Sequence, residues 1–249
     1  DTDRSRGLGD VYKRQVLGFQ ELLFTLIKAL LFVLPLGILA FAGQLSAQVE
    51  AGVIVGALGK YTLVIMASNC VQFFIVLPIF LLARGLNPID VFKKMSPAVA
   101  VALFTKSSAG TLPVTMASAE QNMKVNKAVS RFVLPICTTI NMNGCAAFIL
   151  ITSIFVMQNA GFELSMTTML TWLLVSVLAA VGNAGVPMGC YFLTLSLMSG
   201  IGAPIGIMGI ILPIYTIIDM VETAENVWSD SCVCAMTDHD LKGKIAEEE

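Results

Sequence analysis

The sequence predicts an all-α integral membrane protein in which two opposed re-entrant helical hairpins sit among broken helices. Three observations carry this prediction. First, the 249 residues are 56% hydrophobic and only 13% charged, against roughly 25% charge in a soluble domain. That balance excludes a soluble enzyme, and the net charge of −2 gives a nucleic acid nothing to bind. Second, apolar segments recur at the length of about 20 residues that a bilayer crossing needs. Third, small and helix-breaking residues interrupt two of these segments at matching positions, the pattern of an inverted repeat around a midplane site.

Taken in order, residues 1–15, DTDRSRGLGDVYKRQ, hold seven charged residues and no apolar leader. They resemble non-native, adapter-derived sequence and are set apart from the fold, so that Val16 is the first credible residue. Residues 16–50 contain one crossing, at 21–45. Residues 51–240 form the main domain: helix 56–83, hairpin 95–119, helix 132–157, hairpin 167–200 and helix 203–236. Residues 241–249 are a polar tail.

Charge fixes the topology. Lys and Arg cluster at Arg84, Lys93 and Lys94, at Lys124, Lys127 and Arg131, and at Lys242 and Lys244, with none between Arg131 and Lys242. Short basic loops stay cytoplasmic, which puts all three clusters on one side. The segment 95–123 therefore begins and ends on that side, yet it is too short to cross twice. It dips in and returns at Ser107-Ser108-Ala109-Gly110-Thr111-Leu112-Pro113, where small residues and Pro break a helix. By the same reasoning 167–200 starts and ends outside, and breaks at Gly182-Asn183-Ala184-Gly185-Val186-Pro187-Met188-Gly189. Irregular backbone at membrane depth survives only where protein or a water-filled cavity satisfies it.

The last apolar segment carries polar residues that a lipid-facing helix would not tolerate. Asp219, Thr223, Asn226 and Asp230 share one face at helical spacing, Glu222 flanks that stripe, and Glu225 points well away from it. Ionisable groups in a membrane helix cost about 2.5–3.5 kcal/mol each even on lenient scales, and mark function. The preceding crossing adds Thr138, Thr139, Asn141 and Asn143. An oxygen cage for a hard cation can be drawn from Asp230, Asn226, Asn141 and free carbonyls. The six cysteines lie in apolar stretches and read as small buried hydrophobes rather than a disulfide framework.

Four motifs, TKSSAGTLPVTM (105–116), TINMNGCA (139–146), GNAGVPMG (182–189) and DMVETAENVWSD (219–230), resemble in order and spacing those of the dicarboxylate/amino-acid:cation symporters, the family of the glutamate transporters. The resemblance implies a glutamate-transporter-like fold, N-terminally truncated by four helices. In it, 16–50 is a scaffold-type helix and 51–240 the transport domain. It further implies a homotrimer when full length, in the cell (inner) membrane with a cytoplasmic C-terminus, and no enzymatic activity. Na⁺ is the implied coupling ion, H⁺ the other possibility, with no organic cofactor.

Residue by residue, the resemblance puts substrate at the hairpin tips, at Ser107, Ser108 and Val186. It puts the substrate amine on Asp219 with help from Thr223, and the α-carboxylate on Asn226. One Na⁺ falls to Asp230 with carbonyls of Cys137, Asn141 and Asn226, and a second to carbonyls near Thr139 and at Ala180, Val181 and Asn183. Asn143 replaces an Asp of a third Na⁺ site. Glu222 stands where acidic-substrate members carry an Arg, and Cys145 replaces a Thr. These changes imply an amino-acid symporter for neutral or cationic substrates rather than acidic ones, unless Glu222 is protonated or paired with Lys106. The other readings are a dicarboxylate or glutamate–aspartate symporter and, from another class, an ion channel or a non-transporting membrane sensor.

Overall fold

The computed structural model describes residues 55–242 and 244, preceded by scattered helical positions between 11 and 43. The segments predicted at 1–15 and 16–50, and most of the 241–249 tail, lie outside the described residues. Every element is helical among the described residues. Helix α1 (Val55–Val71) widens into a π-helical turn (Gln72–Val76) and continues as α2 (Leu77–Ala83). Then follow α3 (Pro88–Thr105), α4 (Ser108–Gln121), α5 (Lys127–Ile140), α6 (Asn143–Asn159), α7 (Met166–Val181), α8 (Gly189–Gly200) and α9 (Gly206–Leu241).

Local chemistry sets several of these boundaries. Asn87 caps α3, its side chain accepting from the amides of Ile89 and Asp90, with Pro88 in the first helical position, where its missing N–H costs nothing. Ser107, Asn126 and Ser165 cap α4, α5 and α7 in the same way. The π turn has its cause in Pro78, which cannot donate to the preceding turn and crowds its carbonyls. The freed carbonyl of Phe73 instead accepts from the Trp228 indole at 3.2 Å.

Three helical stretches are long and apolar enough to cross a membrane: Gly56–Ala83, Lys127–Asn159 and Gly206–Leu241. They overlap the crossings predicted at 56–83, 132–157 and 203–236, the second running further at both ends and the third shifted toward its polar C-terminal end. The middle stretch is broken at Asn141 and Met142, whose ψ values of 59° and 66° leave the helical region.

Helix α9 is the axis of the bundle, packed against α3, α5 and α6 and touching α1, α4 and α8. Lipid offers helices no hydrophobic reason to associate, so close backbone approach and polar contacts must hold them. Gly144 provides the first, because a Cβ there would lie 3.0 Å from the Glu222 Cα. Tyr61 and Thr152, hydroxyl to hydroxyl at 2.8 Å, supply the second between α1 and α6.

The two interrupted segments form helix–turn–helix units. In the first, α3 and α4 pack against each other around Lys106 and Ser107. Its outer ends are tied to each other, Asn122 donating to the Lys94 carbonyl at 3.0 Å, and the flanking residues to the end of α9, the Asn126 amide donating to Asp238 at 2.9 Å and Arg84 pairing with Asp240. The basic clusters thus gather at one end of the bundle. In the second unit, α7 and α8 pack on α6 and scarcely on one another. Left-handed Ala184, Gly185 and Met188 make the connection at 182–188 broad enough for its arms to part around α6.

Candidate functional site

The site is built where the two tips, the break in α5–α6 and the middle of α9 converge. At the first tip, the Ser107 hydroxyl accepts from the Gly110 amide at 3.0 Å and donates to the Gly185 carbonyl of the second tip at 3.0 Å. The Ala109 amide donates to the same carbonyl at 3.3 Å. Gly185 has φ +67°, and a Cβ there would sit 2.8 Å from the Thr138 carbonyl oxygen; only glycine fits both the conformation and the space. Ser108 is buried beside this contact.

The second tip rests on α9. The Met188 amide donates to Asp219 at 3.3 Å, and the Tyr215 hydroxyl donates to the other carboxylate oxygen at 3.3 Å. Thr223 is buried, its hydroxyl spent on the Asp219 carbonyl. Asn226 accepts from the Gly144 amide at 2.9 Å and donates to the Cys145 sulfur at 3.3 Å. Val186 is half-buried in the turn, its amide on the Asn183 carbonyl.

The predicted cation donors divide into two groups. Asn141 donates to Ser229 and to Asp230, both at 2.9 Å, leaving the second Asp230 oxygen buried without a partner. Asn143 donates to Ser229 at 2.6 Å. Asn183 is buried, with its side-chain amide on Cys145 and its carbonyl oxygen unpartnered. The Ala180 carbonyl accepts from the Asn183 amide and the Cys137 carbonyl from the Asn141 amide. Thr139 and Val181 expose their side chains, and the Thr139 hydroxyl turns back to the Ile136 carbonyl.

One expectation needs correction. Cys145 and Cys190 are joined as a disulfide between α6 and α8, their Cα atoms 5.6 Å apart; they are not merely small hydrophobes. Nothing in the sequence shows this, because the pair meets only when α8 folds onto α6. Of the two exceptions named for Glu222, pairing with Lys106 is not seen: among the described residues Lys106 makes no ion pair. Glu222 is fully buried, neither carboxylate oxygen has a hydrogen-bond partner, and the two cysteine sulfurs lie within 4.8 Å of it.

Sequence reasoning also missed Tyr215, Ser229, Met188 and Cys190. Tyr215 was within reach, since it precedes Asp219 by one helical turn. Met188 contributes only backbone, which leaves no mark in residue type.

A buried acid-bearing helix facing two helix tips and a broken third helix is the core of a membrane protein with an internal polar site. The chain belongs to the sodium:dicarboxylate symporter family, whose model matches residues 6–240, a family of transporters and not of enzymes. It is 32% identical to excitatory amino acid transporter 1 of Ambystoma tigrinum, over 88% of this chain and 41% of that protein. It is likewise 32% identical to excitatory amino acid transporter 1 of Homo sapiens, over 91% of this chain and 43% of that protein. Against excitatory amino acid transporter 2 of Homo sapiens the identity is 31%, over 96% of this chain and 42% of that protein. The chain thus spans about two fifths of the length of the curated relatives it matches.

Proposed function

We propose that this chain forms the substrate- and cation-binding part of a Na⁺-coupled secondary transporter of amino acids with neutral or cationic side chains. The observation that carries the reading is Asp219: a buried carboxylate, one helical turn from Thr223, held against the amide of the second tip. A substrate ammonium would replace that amide, and the α-carboxylate would lie between Asn226 and the amides at the α4 N-terminus, which favour anions. The outer tip at 182–189 then closes, and the block 56–240 moves across the membrane as a unit.

For the cation, Asp230, Asn141, Asn226 and the Cys137 carbonyl form one oxygen donor set. The carbonyls of Thr139, Ala180, Val181 and Asn183 form another. The unpartnered Asp230 oxygen supports the first, since a buried acceptor without a partner is costly. The re-entrant course of both hairpins from opposite faces, the homotrimer, the inner-membrane location and the cytoplasmic C-terminus belong to this same reading.

Glu222 decides the substrate class. Where an acidic side chain would need a cation, a second carboxylate stands. The lost charge-assisted hydrogen bond is worth about 1.5–3 kcal/mol, and like-charge repulsion adds up to about 4 kcal/mol at 4 Å and an effective dielectric of 20. The second reading, an acidic substrate, draws on the family and on the named relatives, and requires Glu222 to be neutral.

Uptake of radiolabelled amino acids into proteoliposomes, with and without Na⁺, tests the proposal. The expected result is saturable, Na⁺-dependent uptake of a neutral or cationic amino acid, abolished in Asp219→Ala, with Glu222→Arg shifting preference toward aspartate. Aspartate or succinate as the best substrate of the unmodified protein would overturn the specificity. Conduction without saturable uptake would overturn the transporter itself in favour of a channel.

A further inference from the structure

Glu225 lies on the opposite side of α9 from the substrate stripe, yet it is fully buried and neither of its carboxylate oxygens has a hydrogen-bond partner among the described residues. One of them converges with a second orphan, the side-chain oxygen of Asn69 on α1, which is itself 1% exposed and unpartnered. The two oxygens stand 2.7 and 3.0 Å from the point a Cβ on Gly144 would occupy. Asn69 is not free to turn away, because its amide nitrogen donates to the Ile65 carbonyl at 2.9 Å. A cavity of about 170 Å³ opens here, lined among others by Ser68, Gln72 and Asn143.

We propose that Glu225 and Asn69 form a binding site for a monovalent hard cation, Na⁺, between α1, α6 and α9, separate from the site at Asp230. Two buried acceptor oxygens held together need a donor or a cation between them, and a cavity of this size walled by further oxygens suits a coordinated cation. The donor set is all oxygen, which selects a hard ion over a soft metal. The single carboxylate balances one charge, whereas a divalent ion would leave an uncompensated positive charge in the bundle. The cavity wall offers three more oxygen-bearing side chains, room that a bare proton would not need. Gly144 is the third part of the device: a side chain there would meet both oxygens and close the site.

Equilibrium binding of ²²Na⁺ to the purified, substrate-free protein tests this without reference to transport. In Glu225→Gln the number of Na⁺ bound per chain falls by one. In Asn69→Ala, which keeps the charge and serves if Glu225→Gln does not fold, Na⁺ affinity weakens about tenfold, the usual scale for a disturbed ion site. Unchanged Na⁺ binding in both variants overturns this site alone. An unchanged Na⁺ count in Glu225→Gln with loss only of proton uptake reassigns the group to protons and likewise overturns it. A native chain that binds no Na⁺ overturns both this site and the proposed Na⁺ coupling.

Discussion

The two helix–turn–helix units share a position beside α9 and differ in what holds them. In the first, α3 lies against α4 and α9, Ser107 caps its second arm, Asn122 joins its outer ends through the Lys94 carbonyl, and a hydrogen bond and an ion pair tie the flanking residues to α9. In the second, the arms barely touch, Met188 enters α8 with a left-handed backbone and no side-chain cap, and the unit is held by single hydrogen bonds at its tip (Ser107 and Ala109 to Gly185, Asn183 to Cys145, Met188 to Asp219), the Cys145–Cys190 bridge and packing on α6. A segment held by few separable contacts opens at lower free energy than one embedded in a packed face. On this ground the second tip should open at lower free energy than the first, although their sequences are equally rich in small residues.

The strongest way to break this division is at the joint between the tips. Gly185→Val should reduce uptake at least tenfold and destabilise the closed arrangement by several kcal/mol, combining left-handed strain of about 1–2 kcal/mol with the collision against the Thr138 carbonyl. Gly202→Ala, equally left-handed but in open space, should cost only the strain. Uptake and thermal unfolding of the two variants measure the difference.

Next in size is the bridge. Cys190→Ser should raise amide exchange in α8 and residues 182–189 while leaving α3 and α4 unchanged, with a local loss of about 2–5 kcal/mol as for other structural disulfides. Exchange mass spectrometry reads both units at once, and an equal response in the first would erase the contrast.

The smallest effect concerns acid. Burial would raise the Glu120 carboxyl, but hydrogen bonds from Arg131 and Ser130 outweigh it and hold the group below its ordinary value of 4.5. A depressed carboxyl stabilises fully above that ordinary value and loses its contribution as pH falls from there through the lowered folded value. Below about pH 4.5, exchange should therefore rise where α4 meets α5 and not in α8. Solvent screening at the exposed Arg131 keeps this under about 1 kcal/mol.

Much of this architecture was legible in residue order. Apolar length gave the three long spans, Asn87-Pro88 and Ser165 announced helix starts, and the basic clusters correctly met at one end. Asp219 and Asp230 stood out because a carboxylate within an apolar helix is costly unless it binds something. What escaped was of two kinds. Backbone donors such as Met188 are independent of residue type. Meetings between distant helices, such as Cys145 with Cys190 or Glu225 with Asn69, depend on packing that periodicity within one helix does not encode. Helical phase turns Glu225 off the face shared by Asp219, Asn226 and Asp230, but phase says nothing about which neighbour fills the far side.

The bond from the Trp228 indole to the Phe73 carbonyl exists because Pro78 left that carbonyl without a donor. It makes one imino acid in the first long span the anchor for an aromatic ring in the last. A helix defect thereby becomes a rivet, and the two spans cannot slide past each other without shearing it. With only two tryptophans in the chain, that rivet is also a native optical gauge of whether the first long span and α9 ride together.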